Sequence, residues 1–161
     1  MKISHEQMQT YVDRINERLP VHTMWDGYYI RKFKRKNLVI GGSQDWIYYH
    51  NVDLIFKQVT FYNLPPWWRD AAIRGDDLFR LSDEEEFKKH HPDFDIGDQH
   101  VFALDIHFDI HDSMKKHTFF VVAANVFFEK YGNPSGDGIV DYEDPLKGEK
   151  YSSKKNRVIH Q

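Results

Sequence analysis

The stretch "HVFALDIHFDIHD", residues 100–112, decides the fold class, because apolar and polar residues alternate along it. From residue 102 to residue 110, the even positions hold Phe, Leu, Ile, Phe and Ile. From residue 105 to residue 111, the odd positions hold Asp, His, Asp and His. A strand directs successive side chains to opposite faces, so this period of two predicts an antiparallel strand with one buried face.

Other stretches predict further strands of the same kind. The apolar runs "YYIRKF", "NLVIGG" and "DWIYYH" begin at residues 28, 37 and 45 and are separated by basic or small residues, as in antiparallel hairpins. In "VDLIFKQVTFY", residues 52–62, the apolar residues change parity after Lys57, which predicts a bulge or a strand buried on both faces. The stretch "TFFVVAANVFFEKY", residues 118–131, favours a returning strand, although its apolar spacing also fits a helix.

Two segments predict helices, and each is followed by a proline that ends it. Ser4 and Gln7 have the spacing of a capping box, and apolar residues recur at helical spacing after them. Ser82 and Glu85 have the same spacing at the start of a shorter helix. The sequence therefore predicts an α+β fold, in which an antiparallel sheet of about five or six strands packs against an N-terminal helix and one shorter helix.

The composition predicts one domain without disulfides. Hydrophobic residues make up 40% and aromatic residues 16% of the 161 residues, which is enough to build a core. We expect a single domain over residues 1–146 and a polar tail over residues 147–161. The absence of cysteine excludes disulfides and thiol chemistry. No stretch resembles a signal peptide or a membrane span, so we expect a cytoplasmic protein with no membrane partner.

The net charge of −3 conceals a strong segregation of charge along the chain. Residues 27–69 contain seven Lys or Arg and two Asp, whereas residues 70–112 contain thirteen Asp or Glu and four Lys or Arg. If the folded protein keeps these charges on separate surfaces, its acidic half is suited to a basic partner and unsuited to nucleic acid.

Two further stretches suggest surface contacts. The stretch "RKFKRK", residues 31–36, has cations that can follow phosphates, but the acidic block after it favours charged protection of a strand edge and no nucleic-acid partner. Trp67 and Trp68 follow two prolines at the end of a predicted strand. They either form an aromatic platform for a protein partner or cover the open end of the core.

The stretch "NPSGDGIVDYED", residues 133–144, resembles the twelve-residue calcium loop of the EF-hand family. The ligands that the resemblance implies are Asn133, Ser135, Asp137, the carbonyl of Ile139, Asp141 and Asp144. The match departs from the family, because Asn133 replaces an Asp, Asp144 replaces a longer Glu, and Pro145 opposes an exiting helix. A polar turn explains the same residues, so calcium binding is the minority hypothesis and we expect no other cofactor.

A second metal hypothesis concerns His107, Asp109 and His111, which share the polar face of the alternating strand. Such a face can hold a transition metal when a further ligand lies opposite, although a solvent-facing strand explains the pattern equally simply. The sequence contains no nucleophile elbow, no phosphate-binding glycine loop and no helical metalloprotease His pair. These absences disfavour an enzyme.

The stretch "YYHNVDLIFKQVTFYNLPPWW", followed by "LFRLSDEEEF", resembles small single-domain bacterial proteins of undefined activity, some of which accompany toxins as immunity partners. The resemblance covers residues 46–87 and carries over no catalytic residue. It implies an α+β domain that binds another protein.

We therefore expect a non-enzymatic binding protein, an immunity protein that neutralises a basic toxin through an acidic surface. The expected partner contacts are Asp76, Asp77, Glu84, Asp105 and Asp109, with Trp67 or Trp68 as an aromatic anchor. The alternatives are a metal-dependent enzyme or sensor and a weak calcium-binding protein.

Overall fold

A computed structural model describes residues 3–18, 27–43, 52–68, 79–110, 113–131, 139–144 and 149–152. These residues form two α-helices, α1 (His5–Arg18) and α2 (Glu84–Lys88). They also form eleven β-strands: β1 (Gly27–Lys34), β2 (Asn37–Ser43), β3 (Val52–Lys57), β4 (Phe61–Tyr62), β5 (Trp67–Trp68), β6 (Arg80–Ser82), β7 (His100–Ile110), β8 (Ser113–Ala123), β9 (Asn125–Tyr131), β10 (Ile139–Asp144) and β11 (Glu149–Ser152). The predicted α+β class, with an N-terminal helix and one shorter helix, is confirmed.

The strands are divided between two antiparallel sheets. Sheet A has seven strands in the order β11-β10-β9-β3-β2-β1-β5, and sheet B has four strands in the order β4-β8-β7-β6. The stretch that decided the fold class forms β7, which pairs with β8 along its whole length. Residues 118–131, whose spacing also fitted a helix, belong to β8 and β9 apart from Ala124 between them.

Two neighbouring segments cross between the sheets and explain the change of parity after Lys57. β3 ends at Lys57 in sheet A, Gln58 takes a positive φ of 53°, and the chain continues into β4 of sheet B. Beside it, the chain passes from β8 of sheet B to β9 of sheet A at Ala124. The amide of Ala124 donates to the carbonyl of Lys57 at 3.0 Å, so the two crossings lie side by side. Three residues, 58–60, separate Lys57 from Phe61, whereas two residues, 123–124, separate their partners Asn125 and Val122. The change of parity therefore marks one extra residue, as expected for a bulge, at a transfer between the two sheets.

The main core lies between the facing sides of the two sheets. The rings of Phe56 on β3 and Phe102 on β7 have centroids 5.2 Å apart, which joins the sheets directly. Leu104 and Ile106, from the apolar face of the alternating strand, lie in the same core. Helix α1 adds its apolar stripe to it.

A second, smaller core covers the other face of sheet B. Phe87 of α2 and Ile96 pack there against Ala103 and Phe120, and all four are buried. Sheet B is therefore covered on both faces near α2. Near α2 the layers follow the order sheet A, main core, sheet B, second core and α2. At the crossings the carbonyl of Gln58 accepts a hydrogen bond from Gln99, so the segment after α2 comes close to the end of β3.

The predicted N-cap of α1 is confirmed, whereas the N-cap of α2 lies one residue later than predicted. The amide of Gln7 donates to Ser4 Oγ at 3.2 Å and the amide of Ser4 donates to Gln7 Oε1 at 3.0 Å, which confirms the capping box of α1. In α2 the N-cap is Asp83 and the predicted Ser82 is wrong, because the Asp83 carboxylate accepts from the amide of Glu86 at 2.6 Å.

The C-terminal part of the described chain extends sheet A. β10 pairs with β9 on one side and with β11 on the other. Residues 149–152, which form β11, fall within the segment expected to be a polar tail. The rest of that segment, residues 147–148 and 153–161, lies outside the described residues.

Candidate functional site

Six acidic residues lie on the solvent side of the α2 layer, and we call them the acidic surface. They are Asp83, Glu84, Glu85, Asp93, Asp95 and Asp98, and all six are exposed. Phe87 and Ile96 of the same segment pack inward against sheet B, which leaves the charged residues facing water. Lys88 Nζ lies 2.5 Å from the Glu84 carboxylate and Lys89 is exposed nearby, so the surface keeps an excess of negative charge.

Arg80 on β6 fastens α2 to sheet B. Its Nη1 and Nη2 atoms donate to the two carboxylate oxygens of Glu86 at 2.8 and 2.6 Å, and its Nε donates to Asp105 at 2.9 Å. Ser82 donates to Glu86 and Thr118 donates to Asp105, each at 2.6 Å. The planar guanidinium suits this forked pairing. Asp105, predicted as a partner contact, therefore belongs to an internal network.

The network favours the charged form of both carboxylates. Hydrogen bonds from Arg80, assisted by Ser82, lower the pKa of Glu86. Burial would raise the pKa of Asp105, but hydrogen bonds from Arg80 and Thr118 outweigh it and the pKa falls below its usual value. A carboxyl group with a lowered pKa is a poor general acid at neutral pH, so the network is suited to structure rather than to acid catalysis.

A β-bulge turns two cations of β1 toward the outer face of sheet A. Ile30 pairs with Ile40 of β2 and Lys32 pairs with Val39, so Arg31 falls between the two pairs. Arg31 Nη2 then donates to Asp53 Oδ2 on β3 at 3.0 Å. The Asp53 side chain is only 1% exposed, and pairing with a cation is what allows a carboxylate to be buried there.

Four cations surround a groove of about 360 Å³ on this outer face, which we call the basic groove. Its lining consists of Lys32, Lys34, Arg35, Asn37, Val39, Ile55 and Lys57, none of them acidic. Val39 and Ile55 are cross-strand partners and form an apolar floor. Lys57 Nζ lies 5.5 Å from the centre of the Phe127 ring, a cation–π distance.

The two adjacent tryptophans point to opposite sides of sheet A. Trp68 is 2% exposed and stacks on Tyr28 in the main core, with ring centroids 6.0 Å apart. Trp67 is 56% exposed and pairs across the strands with Tyr29, on the outer face. Trp68 therefore covers the core, and only Trp67 of this pair presents a large surface to a partner.

The predicted transition-metal face lies only in part within the described residues. His107 is half-buried, and its Nδ1 atom is buried without a hydrogen-bond partner there. Asp109 belongs to β7, while its side chain and the whole of His111 fall outside the described part of the chain. Over the ranges that the structure describes, no three His, Asp or Glu side chains are grouped closely enough to hold a metal ion. A site that includes His111 stays a prediction.

The predicted calcium loop ends in a strand. Ile139, Asp141 and Asp144 lie on β10, between β9 and β11. The other expected ligands, Asn133, Ser135 and Asp137, lie outside the described residues. An EF-hand leads from its loop into a helix, whereas β10 remains extended to its last residue. Calcium binding stays a prediction, on a backbone that differs from the family's.

The structure separates residues that the sequence assigned to one partner-binding surface. Glu84 lies on the acidic surface at α2, whereas Trp67 lies on the outer face of sheet A. Asp105 is engaged in the internal network. Asp76 and Asp77 lie outside the described residues.

Sequence reasoning missed members of both charged surfaces. Glu85 and Asp93 were counted in the acidic half, residues 70–112, but were not among the expected partner contacts. Lys57 carried no local signal, because it joins Lys32 and Lys34 only where β3 and β1 flank β2 in sheet A.

Within the described residues, no helix has the length and apolar character needed to cross a membrane. Comparison of the chain with protein-family models, with curated proteins and with solved structures gives no match. The two charged surfaces are therefore the candidate functional sites.

Proposed function

We propose that this protein is a non-enzymatic binding protein whose acidic surface binds a basic protein partner. The observation that carries the proposal is that α2 and the segment after it present six exposed carboxylates, apart from the cations that line the basic groove of sheet A. At physiological ionic strength charges are screened over about 8 Å, so the field of the acidic surface is determined mainly by the charges within it. Such a field speeds and orients the approach of a partner of opposite charge.

The resemblance to bacterial immunity proteins suggests the nature of that partner. A toxin that acts on nucleic acid needs a basic cleft for its substrate, and an acidic protein surface competes for that cleft. We propose a cytoplasmic immunity protein that neutralises a basic toxin by occupying its active site. The proposal needs no catalytic residue in this chain.

Glu85 and Asp93 are the most informative residues for a test. Both are exposed, and within the described part of the chain neither side chain has a hydrogen bond or ion pair, so their replacement should leave the fold undisturbed. The double variant Glu85→Lys/Asp93→Lys reverses charge on the acidic surface. The double variant Glu6→Lys/Asp13→Lys makes the same change of net charge on exposed residues of α1 and is the matched control.

The experiment co-expresses the tagged protein with the products of adjacent genes and measures any complex by size exclusion with light scattering. We expect a stoichiometric complex at about 50 mM salt that weakens at about 500 mM, because the attraction is electrostatic. The Glu85→Lys/Asp93→Lys variant should lose the complex and the α1 control should keep it. Equal capture by both variants, or the lack of any stoichiometric complex, would sink the proposal.

A further inference from the structure

We propose that the outer face of sheet A binds single-stranded nucleic acid, with phosphates in the basic groove and bases stacked on Trp67 and Tyr29. The inference does not rest on the proposed function, because it uses a different set of residues. It rests on the placement of exposed cations, the exposed ring of Trp67 and the half-buried ring of Tyr29 on one sheet face.

The charges of the basic groove exceed what the protection of a strand edge requires. β5 pairs with β1 at Tyr28 and Tyr29, and the amide of Ile30 donates to the Pro66 carbonyl. Lys32 and Lys34 lie beyond this backbone pairing, at the edge of sheet A. Lys57, however, is on β3, which is flanked by β2 and β9 and has no free edge. Edge protection therefore leaves the cation on β3 unexplained, whereas binding of an anion accounts for all of the cations together.

The hairpin turn between β1 and β2 adds positive charge beside the basic groove, at two positions whose backbone conformation disfavours Arg and Lys. Arg35 and Lys36 have positive φ values of 51° and 60°, where a tight hairpin favours Asn and Gly. The amide of Val59 donates to the carbonyl of Lys36 at 2.8 Å and helps to hold the turn. An unfavourable conformation that the surroundings maintain points to a functional constraint, and here it brings Arg35 to the lining of the groove.

Aromatic rings continue the same face. Trp67 and Tyr29 are cross-strand neighbours on the outer side of sheet A. Because of the bulge at Arg31, Tyr29 and Lys32 pair with Gly41 and Val39, which are two residues apart on β2, a separation of about 7 Å at the rise of a strand. A cationic groove beside exposed rings is the combination that binds single strands without sequence preference, because every base can stack on a ring.

Single-stranded nucleic acid fits the groove and the adjacent rings better than a duplex or a peptide does. A duplex keeps its bases paired and leaves Trp67 unused. A peptide that extends a sheet binds at an edge strand, whereas the groove lies on the face of sheet A. The sequence argued against nucleic acid because an acidic block follows the basic one, but no acidic residue lines the basic groove.

The test measures anisotropy of a labelled oligothymidylate of about twelve nucleotides as salt is raised from about 50 to 200 mM. We expect Lys32→Gln/Lys34→Gln to reduce the slope of log affinity against log salt by about 1.4, since two phosphate contacts are removed. Trp67→Ala should weaken binding about five- to 150-fold at constant salt, and Trp67→Phe should retain most of the affinity. Lys88→Gln/Lys89→Gln, the same charge change on α2, should bind as the wild type does.

Several results would overturn the inference. They are failure of the wild type to bind the oligothymidylate at low salt, equal affinity for a duplex of the same length, and unchanged binding by Trp67→Ala. Binding of a poly-glutamate peptide but not of the oligonucleotide would reassign the groove to an acidic protein partner. Thermal melting of each variant confirms that the fold is intact before binding is compared.

Discussion

Gly41 lies in the middle of β2, where glycine ordinarily weakens a strand because it loses more conformational freedom than other residues. The ring of Tyr29, which lies against residue 41 on the outer face of sheet A, explains why this residue is a glycine. A β-carbon on residue 41 would lie 3.1 Å from Tyr29 Cζ and 3.2 Å from Cε1. The missing side chain makes room for the ring, and the burial of that ring raises the pKa of Tyr29. One glycine thus supports the aromatic part of this face.

This contact predicts that Gly41→Ala changes the free energy of unfolding in opposite directions in the wild type and in a Tyr29→Ala variant. Gly41→Ala should lower the free energy of unfolding by about 1 kcal/mol, because the added carbon displaces the Tyr29 ring. In a Tyr29→Ala background the same substitution should raise it by about 0.5 kcal/mol, because only the loss of backbone freedom in the unfolded chain remains. Urea unfolding of the four proteins measures both effects. The same sign in both backgrounds would contradict the close approach as the reason for glycine.

At the scale of the element, α2 shows how a very short helix is maintained by its neighbours. It has five residues, far fewer than an isolated helix needs for stability in water. The Phe87 ring packs on Phe61 and Phe120 with centroids 5.4 and 5.3 Å apart, and Arg80 binds Glu86 from sheet B. The acidic surface therefore depends on tertiary contacts that hold its helix in place.

The Arg80 network makes part of this stability dependent on pH. The pKa values of Glu86 and Asp105 are lower in the folded protein, so the unfolded chain binds more protons at acidic pH. The contribution is complete above the ordinary carboxyl range, about pH 5, and is lost as pH falls through the lowered pKa values. Glu86→Gln/Asp105→Asn should therefore be less stable than the wild type by about 1–2 kcal/mol at neutral pH. The difference should shrink below about pH 4.5.

Chemical denaturation of both proteins between about pH 7 and pH 3 measures the effect. Glu84→Gln/Glu85→Gln, which removes two charges outside the network, is the matched control and should keep a nearly constant difference from the wild type. A difference between wild type and Glu86→Gln/Asp105→Asn that stays constant over the whole range would contradict the role given to the network.

At the scale of the whole molecule, one core serves both sheets. Phe56 of sheet A and Phe102 of sheet B are fully buried and in contact, and both contact Phe79 between the layers. The side-by-side crossings at Lys57 and Ala124 tie the same two sheets through the backbone. The sheets should therefore lose their structure together.

Phe102→Ala tests this coupling. The substitution should lower the free energy of unfolding by about 3–5 kcal/mol, because it removes a buried ring from the contact between the sheets. Hydrogen exchange should show an equal loss of protection in β3 and β8, although only β8 belongs to the sheet that carries residue 102. Phe33→Ala, at a ring that is 48% exposed, is the control and should cost about 1 kcal/mol or less. Loss of protection in β8 alone would contradict a shared core.

Local patterns predicted the elements better than they predicted the surfaces. The alternation along β7 and the Ser4–Gln7 box depend on neighbours in the chain, and the structure confirms both. The change of parity at Lys57 was visible but was interpreted within one strand, because a transfer between two sheets leaves no different local pattern. Trp67 and Trp68 are adjacent and chemically identical, and only the sheet determines which of them is buried.

The sequence by itself determined the α+β class, the antiparallel strands and the segregation of charge into a basic and an acidic half, because these properties follow from composition and from the periodicity of neighbouring residues. Only the tertiary structure decided that the strands form two layers, that Arg80 engages Asp105, and that Lys57 joins the cations of β1. Each of these facts depends on which distant strands pair and which faces pack together. Burial of apolar surface over the whole chain determines that choice, and no short stretch contains it.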